Sequence, residues 1–293
     1  MKTFIVVDSC CDLPLSYVES NKDVLDIIGM PVNIDGFEYY DDLGKTFTHE
    51  ALYGKLKEGI LPSTAQINAY RFAEKFKEHI KDHDTVIYIG FSSGLSGTIN
   101  NARQGADLVK EEYPHADIRV VDTVSASIGL GVLTVKAVDM VRSGASIDEV
   151  ESWLEDNKMK ANHWFAVDDL HHLKNGGRVS PAEAAVGTLL NIKPILIVNR
   201  QGVLKPYAKV KGRKKSIKLL IDKYKEHFSG HAYDKLIIGH GHVEDEAIKL
   251  KKQLLEHMEE EQIIISELSA TIASHVGPGM LAIAFMGNTR EDK

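Results

Sequence analysis

Residues 85–109 predict a buried strand, a glycine-rich loop and a helix, and this unit restricts the chain to α/β folds. Residues 85–89 form an apolar run typical of a buried strand, and residues 99–109 have helical spacing. The loop between them, residues 90–98, reads Gly-Phe-Ser-Ser-Gly-Leu-Ser-Gly-Thr. Its glycines let the backbone approach a ligand, and the helix N-terminus carries a partial positive charge. The loop is therefore a candidate anion site.

Strands and helices alternate through the first half of the sequence. Strands are predicted at residues 3–7, 86–89 and 118–121, and residues 24–28 and 30–34 are predicted to form one extended piece or two. Helices are predicted at residues 49–58, 69–81, 99–109 and 146–160. This alternation is typical of a parallel sheet that is covered by helices on both faces.

Three short motifs predict where helices begin. Residues 63–66, Ser-Thr-Ala-Gln, and residues 146–149, Ser-Ile-Asp-Glu, fit capping boxes. Residues 180–183, Ser-Pro-Ala-Glu, combine a serine cap with a proline in the first helical position. We expect a helix after each of them.

The second half has a different rhythm, with a hairpin between helices. Strands are predicted at residues 163–167, 195–198, 203–210, 236–238, 263–266 and 280–285. Helices are predicted at residues 213–228 and 243–260, and residues 274–279 are expected to form a glycine-rich loop. A hairpin among helices favours a mixed sheet. The expected architecture is α/β with two domains, residues 1–157 and 158–293.

Composition and cysteine usage exclude several function classes. The formal net charge of −7 argues against nucleic-acid binding. No apolar run approaches the ~20 residues of a membrane span, and the run after the first lysine is too short for a signal peptide, so we expect a cytoplasmic protein. Cys10 and Cys11 are adjacent, which is poor geometry for a structural disulfide. The histidine pairs at residues 171–172 and 240–242 have no third residue at the spacing of a metal site. We therefore expect neither a metal nor a cofactor.

Four loops carry residues that bind anions or transfer protons. The first offers Thr64, and the second offers Ser92, Ser93 and Ser96 around Gly94. The third presents an arginine after two glycines, and the fourth places a histidine before Gly-Pro-Gly. These are Arg178 and His275. Loops beyond strand ends form the ligand sites of open α/β sheets, and arginine binds carboxylate or phosphate with paired hydrogen bonds. Each residue also has a plain structural reading, as a helix cap, a surface arginine or a packed histidine.

A serine hydrolase is the alternative that these residues leave open. Residues 90–94 match G-x-S-x-G, and Ser92, Asp122 or Asp168, and His275 follow the serine–acid–histidine order. Against this interpretation, the loop continues through residues 95–98 before the helix begins, and no oxyanion-hole segment is visible.

Taken in order, the loops resemble the DegV family of bacterial fatty-acid-binding proteins. The matching pieces are residues 8–13, 62–66, 92–98, 173–180, 191–195 and 275–279. The resemblance implies an N-terminal parallel-sheet domain and a C-terminal mixed-sheet domain with one lipid between them. This chain departs from the family pattern at Ala65, where serine is frequent, at Ile67, where proline is frequent, and at Lys211, where arginine is frequent.

The resemblance also implies a function and a set of site residues. Thr64 and Ser93 would hydrogen-bond the carboxylate of a long-chain fatty acid, beside Arg178 and His275, with Ser92, Ser96 and Gly94 as further candidates. The protein would be a carrier without turnover of its own. It would present the carboxylate to an ATP-dependent kinase subunit, which makes an acyl phosphate for phospholipid synthesis, and would contact the membrane transiently during lipid exchange. Candidates for the tunnel lining are Ile67, Leu95, Val186, Leu189 and Leu190.

Overall fold

A computed structural model describes residues 3–81, 83, 85–184, 191–229 and 234–291 of the chain. The strands are β1 Thr3–Asp8, β2 Leu25–Ile28, β3 Pro31–Ile34, β4 Phe37–Tyr40, β5 Ser63–Thr64, β6 Thr85–Gly90, β7 Asp117–Asp122, β8 Ala161–Ala166, β9 Ile192–Val198, β10 Leu204–Lys211, β11 Leu236–His240, β12 Ile263–Glu267 and β13 Leu281–Met286. The helices are α1 Leu15–Ser20, α2 His49–Lys57, α3 Ala69–Ile80, α4 Thr98–Glu112, α5 Ile128–Arg142, α6 Ile147–Asn157, α7 His171–Asn175, α8 Pro181–Ala184, α9 Arg213–His227, α10 Glu244–Leu254 and α11 Ala270–Val276.

The first half of the chain forms a four-stranded parallel sheet in the order β2-β1-β6-β7. Every residue of β1 and β6 is buried, which explains why both strands are continuous apolar runs rather than alternating ones. The parallel sheet that the alternation predicted is therefore confirmed. The loop after β6 leaves the carboxyl edge of this sheet and enters α4.

The second half forms a six-stranded sheet in the order β10-β9-β8-β13-β11-β12. Only β11 and β12 pair in parallel; the other neighbours are antiparallel. The hairpin of β9 and β10 supplies one edge, as its sequence predicted. The mixed sheet is confirmed.

Helix α5 packs between the two sheets. It contacts β1 and β6 on one side and β8, β11 and β13 on the other. Two of its glycines make this close packing possible, because a Cβ on Gly129 would lie 1.8 Å from His163 Nε2 and one on Gly131 would lie 2.6 Å from the Cys11 carbonyl oxygen. The predicted boundary at residue 157 falls at the end of α6, between the sheets, while one apolar core includes residues of both.

Two expectations from the sequence are wrong, and both concern segments that carry candidate site residues. Ser63 and Thr64 do not cap α3; they form β5, which pairs with β3 in a small sheet of order β4-β3-β5. The cap of α3 is Asn68, whose side chain accepts from the Arg71 amide. The region predicted as a loop over residues 274–279 begins inside α11, so His275 belongs to the last turn of a helix.

The other capping predictions are confirmed where the chain is described. Ser146 and Glu149 form a reciprocal capping box at α6. Ser180 and Glu183 make the same pair of bonds at the start of α8. Helix α10 is shorter than predicted and ends at Leu254. None of the helices within the described ranges has the length and apolar character needed to cross a bilayer.

Candidate functional site

An apolar cavity lies between the two sheets, beside α5 and α11. Its lining encloses about 750 Å³ of space free of protein atoms, including the part that is open to solvent. The lining residues are Cys10, Met30, Thr64, Phe91, Leu95, Ser96, Ala126, Ser127, Ile128, His163, Trp164, Phe165, Leu173, Arg178, Val198, Leu204, Thr271, Ile272, His275, Val276, Met280, Ala282 and Ile283. Most of their side chains are apolar, so the cavity suits an apolar ligand.

Four of the polar side chains that line this cavity come from four separate elements. Strand β5 supplies Thr64, the loop before α4 supplies Ser96, the turn after α7 supplies Arg178, and the last turn of α11 supplies His275. Thr64 Oγ1 lies 2.9 Å from His275 Nε2, although the two residues are 211 positions apart. Three of the four main sequence-predicted site residues are thus brought together.

The guanidinium of Arg178 is held by backbone carbonyl groups. Nη1 donates to the Gly176 carbonyl over 2.6 Å, and Nε and Nη2 donate to the Leu95 carbonyl over 3.3 Å each. No carboxylate of the described residues forms an ion pair with it. Its charge is half-buried, and this burial lowers the pKa of Arg178 from its ordinary value. A half-buried cation without an acidic partner favours an anionic ligand.

His275 is a neutral imidazole at this site. Burial, reinforced by the positive charge of Arg178, lowers the pKa of His275 to about 4. Its Nδ1 is buried and has no hydrogen-bond partner among the described residues. Gly176 packs against that atom so closely that a Cβ would lie 2.2 Å from it. At neutral pH the ring therefore has one N–H to donate and carries no charge that would repel the arginine.

The serines of the loop before α4 face different ways. Ser92 is fully buried; its hydroxyl donates to the Gly202 carbonyl over 2.8 Å and accepts from the Gly94 amide. The amides of Leu95 and Ser96 both bond to the Ser92 carbonyl, and this tight turn leaves Ser93 and Gly94 exposed at its outer side.

This turn changes which serine belongs to the site. Ser96 lines the cavity, whereas Ser93 does not, and the Ser93 amide donates to Asp122 over 3.2 Å. The structure therefore does not bring Ser93, the serine preferred from the sequence, to Thr64, Arg178 and His275. It places Ser96 there instead.

The residues of the hydrolase alternative do not converge. The Ser92 hydroxyl is occupied by backbone groups, and His275 bonds to Thr64. Asp168 is paired with Lys193 over 2.7 Å. Asp122 accepts from the amides of the loops beside it. No serine–histidine–acid arrangement is formed by these candidates.

Two buried aspartates that sequence reasoning did not assign hold α11 in place. Asp41 accepts from both the amide and the hydroxyl of Thr271, at 2.8 and 2.7 Å. Asp12 accepts from the Ser269 amide at 2.8 Å, and burial raises the pKa of Asp12 to about 7. Both carboxyl groups come from the first half of the chain and meet the positive end of a helix from the second. They fix the helix that carries His275.

The tunnel candidates divide into three groups. Leu95 lines the cavity as predicted. Ile67 is fully buried in the main core but is not part of the lining. Val186, Leu189 and Leu190 lie outside the described residues.

Comparisons with known proteins agree on one family over nearly the whole chain. The sequence profile of the DegV family, described as an uncharacterised protein family, matches residues 2–288. A DegV domain-containing protein of Clostridium perfringens is 43% identical over 293 residues, covering 99% of this chain and 100% of the relative.

Solved structures of that family share the fold. The crystal structure of a DegV lipid-binding protein from Thermotoga maritima has a TM-score of 0.85 at 31% identity, covering 99% of this chain and 100% of that one. A DegV family protein from Thermus thermophilus, described for its fatty acid binding, has a TM-score of 0.84 at 29% identity, covering 98% and 100%.

Proposed function

The chain belongs to the DegV family, and from this premise we propose that it binds one long-chain fatty acid in the cavity between its two sheets. The hydrocarbon chain lies inside the cavity, against its apolar lining residues. The carboxylate lies among Thr64, Ser96, Arg178 and His275.

The observation that carries this proposal is an arginine that has no carboxylate partner among the described residues and lines a mostly apolar cavity. Arg178 has five N–H donors, and its bonds to Leu95 and Gly176 use three of them. Two N–H groups remain for a carboxylate. Beside them lie the hydrogen-bonded pair of Thr64 and His275 and the hydroxyl of Ser96, which is also within hydrogen-bond distance of Thr98. A buried carboxylate needs such charge-assisted bonds, because without them its desolvation opposes binding.

The apolar part of the ligand supplies most of the affinity. Burying ~15 methylene groups at ~0.8 kcal/mol each contributes roughly 12 kcal/mol before the cost of ordering the ligand. This amount supports tight binding without a covalent bond. The polar groups then set the orientation, with the carboxylate at Arg178.

We propose further that the bound acid is presented to a partner and is not turned over by this chain. An ATP-dependent kinase subunit would transfer a phosphoryl group to the carboxylate, giving an acyl phosphate for phospholipid synthesis and ADP. Loading and release would involve transient contact with a membrane surface, in the cytoplasm. The family resemblance supports this part of the proposal.

Native mass spectrometry of protein purified from bacteria tests the binding proposal. The expected native mass exceeds the polypeptide mass by one C14–C18 fatty acid, and denaturation releases that acid. Arg178→Gln protein should carry less lipid at equal folding. Recovery of no lipid, or of a sugar or phosphate ligand, would overturn the proposal.

Phosphorylation is tested separately. Loaded protein, ATP and the kinase subunit encoded by the same genome should yield acyl phosphate, trapped as its hydroxamate. Lipid binding without acyl phosphate would contradict the kinase partner and leave the fatty acid assignment intact.

A further inference from the structure

A cluster of one histidine and two glutamates lies at the end of α9, away from the carboxylate site. The ligand atoms of Glu226, His227 and Glu291 all lie within 4.8 Å of one another. His227 Nε2 is 3.3 Å from Glu291 Oε1 and 3.6 Å from Glu226 Oε1. Three possible metal-ligand atoms, from α9 and the C-terminal segment, therefore lie close together.

His227 is an independent indication that this point holds a ligand. The residue is only 9% exposed, and its Nε2 is buried without a hydrogen bond, although both carboxylates lie close to it. A buried ring nitrogen that faces two carboxylates and bonds to neither has the arrangement of a ligand set around a cation. The two distances from His227 Nε2, 3.3 and 3.6 Å, are close to the separation of about 3.3 Å between ligand atoms of a tetrahedral zinc ion, each about 2.0–2.1 Å from the metal.

The backbone around the cluster is fixed before any ion binds. The His227 carbonyl accepts from the Asn288 amide at 2.8 Å, and Phe228 forms a β-bridge with Gly287. These bonds hold the end of α9 against the segment that leads to Glu291. The His227 ring also stacks on Trp164, with ring centroids 5.3 Å apart, so its orientation is set by packing.

We propose that Glu226, His227 and Glu291 bind one divalent transition-metal ion, with zinc preferred, and that water completes its coordination. One imidazole nitrogen and two carboxylate oxygens suit zinc better than magnesium or calcium, which prefer all-oxygen sites. Lys223 donates to Glu226 Oε2 over 2.7 Å, while the other oxygen of Glu226, Oε1, is the one that faces His227. The charge of Lys223 opposes that of the ion and weakens its binding.

The ion would connect the C-terminal segment to the wall of the lipid cavity. Trp164 lines the cavity and stacks on His227. An ion at His227 therefore restrains the ring that supports this part of the wall. The site does not depend on the fatty acid assignment, since none of its three ligands lines the cavity.

A second cluster of similar composition provides the matched control. Asp26, Glu78 and His79 also lie within 4.8 Å of one another. There the His79 ring is hydrogen-bonded to Asp26 at 2.9 Å, and Lys75 pairs with both acids at 2.9 Å each. Here the lysine pairs with both acids and the histidine is already hydrogen-bonded, whereas Lys223 pairs with only one acid of the first cluster, so we expect this second cluster to bind no ion.

Calorimetric titration of the untagged full chain, stripped with EDTA, with zinc chloride tests the proposal. We expect one zinc ion per chain and no saturable binding of magnesium. His227→Gln and Glu291→Gln should each weaken zinc binding at least tenfold, Lys223→Gln should tighten it, and Glu78→Gln should leave it unchanged. In a Trp153→Phe background, zinc should change the fluorescence of Trp164.

Two results would overturn the site. One is the absence of saturable zinc binding by the unsubstituted chain. The other is equal zinc affinity in Glu291→Gln and in the unsubstituted chain. Glu291 lies in the segment after β13, so we expect Glu291→Gln to fold. This variant therefore tests the site even if His227→Gln does not fold.

Discussion

Single side chains in the loop before α4 differ in role because the loop turns sharply at Ser92. The hydroxyl of Ser92 bonds to backbone groups inside the protein, Ser93 is exposed, and Ser96 lines the cavity with its hydroxyl 2.9 Å from that of Thr98. Substitution of each of these three serines, which lie within five residues, is therefore expected to have a different effect.

We expect Ser96→Ala to weaken fatty acid binding about 5- to 30-fold, because it removes the hydroxyl proposed to bond the carboxylate, worth about 1–2 kcal/mol. Ser93→Ala is the matched control and should bind as the unsubstituted protein does. Equilibrium titration with a fluorescent fatty acid measures both. A loss in Ser93→Ala with none in Ser96→Ala would place the carboxylate outside the cavity.

The charge of Arg178 is expected to contribute to affinity for the carboxylate group of the ligand and not for its hydrocarbon chain. Arg178→Gln should weaken binding of hexadecanoic acid about 10- to 100-fold, since it removes a charge-assisted interaction. Binding of hexadecanol, which has the same chain and no charge, should change little. Competition titrations with the two lipids give the comparison, and equal losses for both would mean that Arg178 acts only on the structure of the cavity.

The lowered pKa of His275 predicts that the stability of the lipid-free protein depends on pH. Its pKa is lowered to about 4 in the folded chain, against about 6.5 when unfolded. Between these values the unfolded chain binds a proton that the folded chain does not, so the free energy of unfolding falls as pH falls from 6.5 to 4. The loss approaches about 3 kcal/mol at the lower end.

Urea unfolding at pH 7 and pH 4.5 measures the effect. We expect His275→Gln to lose less stability over this interval than the unsubstituted protein, by about 2–3 kcal/mol. His115→Gln, which replaces an exposed histidine, is the control and should follow the unsubstituted protein. Parallel curves for all three proteins would contradict a neutral His275.

At the level of elements, α11 connects stability to binding, because buried aspartates from the first half of the chain anchor its N-terminus. Asp41→Ala leaves the amide and hydroxyl of Thr271 without their acceptor. We expect it to lower the free energy of unfolding by about 2–4 kcal/mol and also to weaken fatty acid binding, since α11 carries His275.

Ser146→Ala separates the two effects. It removes the capping box of α6, which does not line the cavity, and should cost about 1 kcal/mol without changing lipid affinity. Urea unfolding and lipid titration of both variants are the measurements. If the two variants lost lipid affinity in proportion to their stability, α11 would have no special role.

At the level of the whole molecule, the cavity is lined by both halves of the chain, so a bound lipid should stabilise both. With free lipid at 100 times Kd, the expected gain is about 2.7 kcal/mol, which raises Tm by several degrees. Hydrogen exchange should slow in the loop before α4, which belongs to the first half, and in β8 and α11, which belong to the second. Protection confined to the N-terminal sheet would contradict a ligand between the sheets.

The sequence alone predicted the elements that depend on neighbouring residues. The strands β1 and β6, the capping boxes at Ser146 and Ser180, and the hairpin of β9 and β10 are present as expected. Each follows from a pattern within about ten residues, such as an apolar run or a serine three residues before a glutamate. The two kinds of sheet follow from these elements in order.

Where local patterns were compatible with two structures, the prediction was wrong. Ser63 and Thr64 have the residue types of a helix cap, but pairing with β3 makes them a strand. Residues 274–279 have the glycines of a loop, but the bonds from Asp12 and Asp41 stabilise a helix that includes His275. In both cases a distant partner decided between two locally acceptable conformations.

The sequence by itself determined the α/β architecture and the glycine- and serine-rich loop between β6 and α4, because both follow from short-range patterns of residue type. Only the tertiary structure decided that Ser96, and not Ser93, joins Thr64, Arg178 and His275 beside an apolar cavity. Thr64 and His275 are 211 residues apart, and no local pattern encodes their contact. The direction in which a serine points depends on the path of the whole turn and on what packs against it, and both are set only when the two halves of the chain come together.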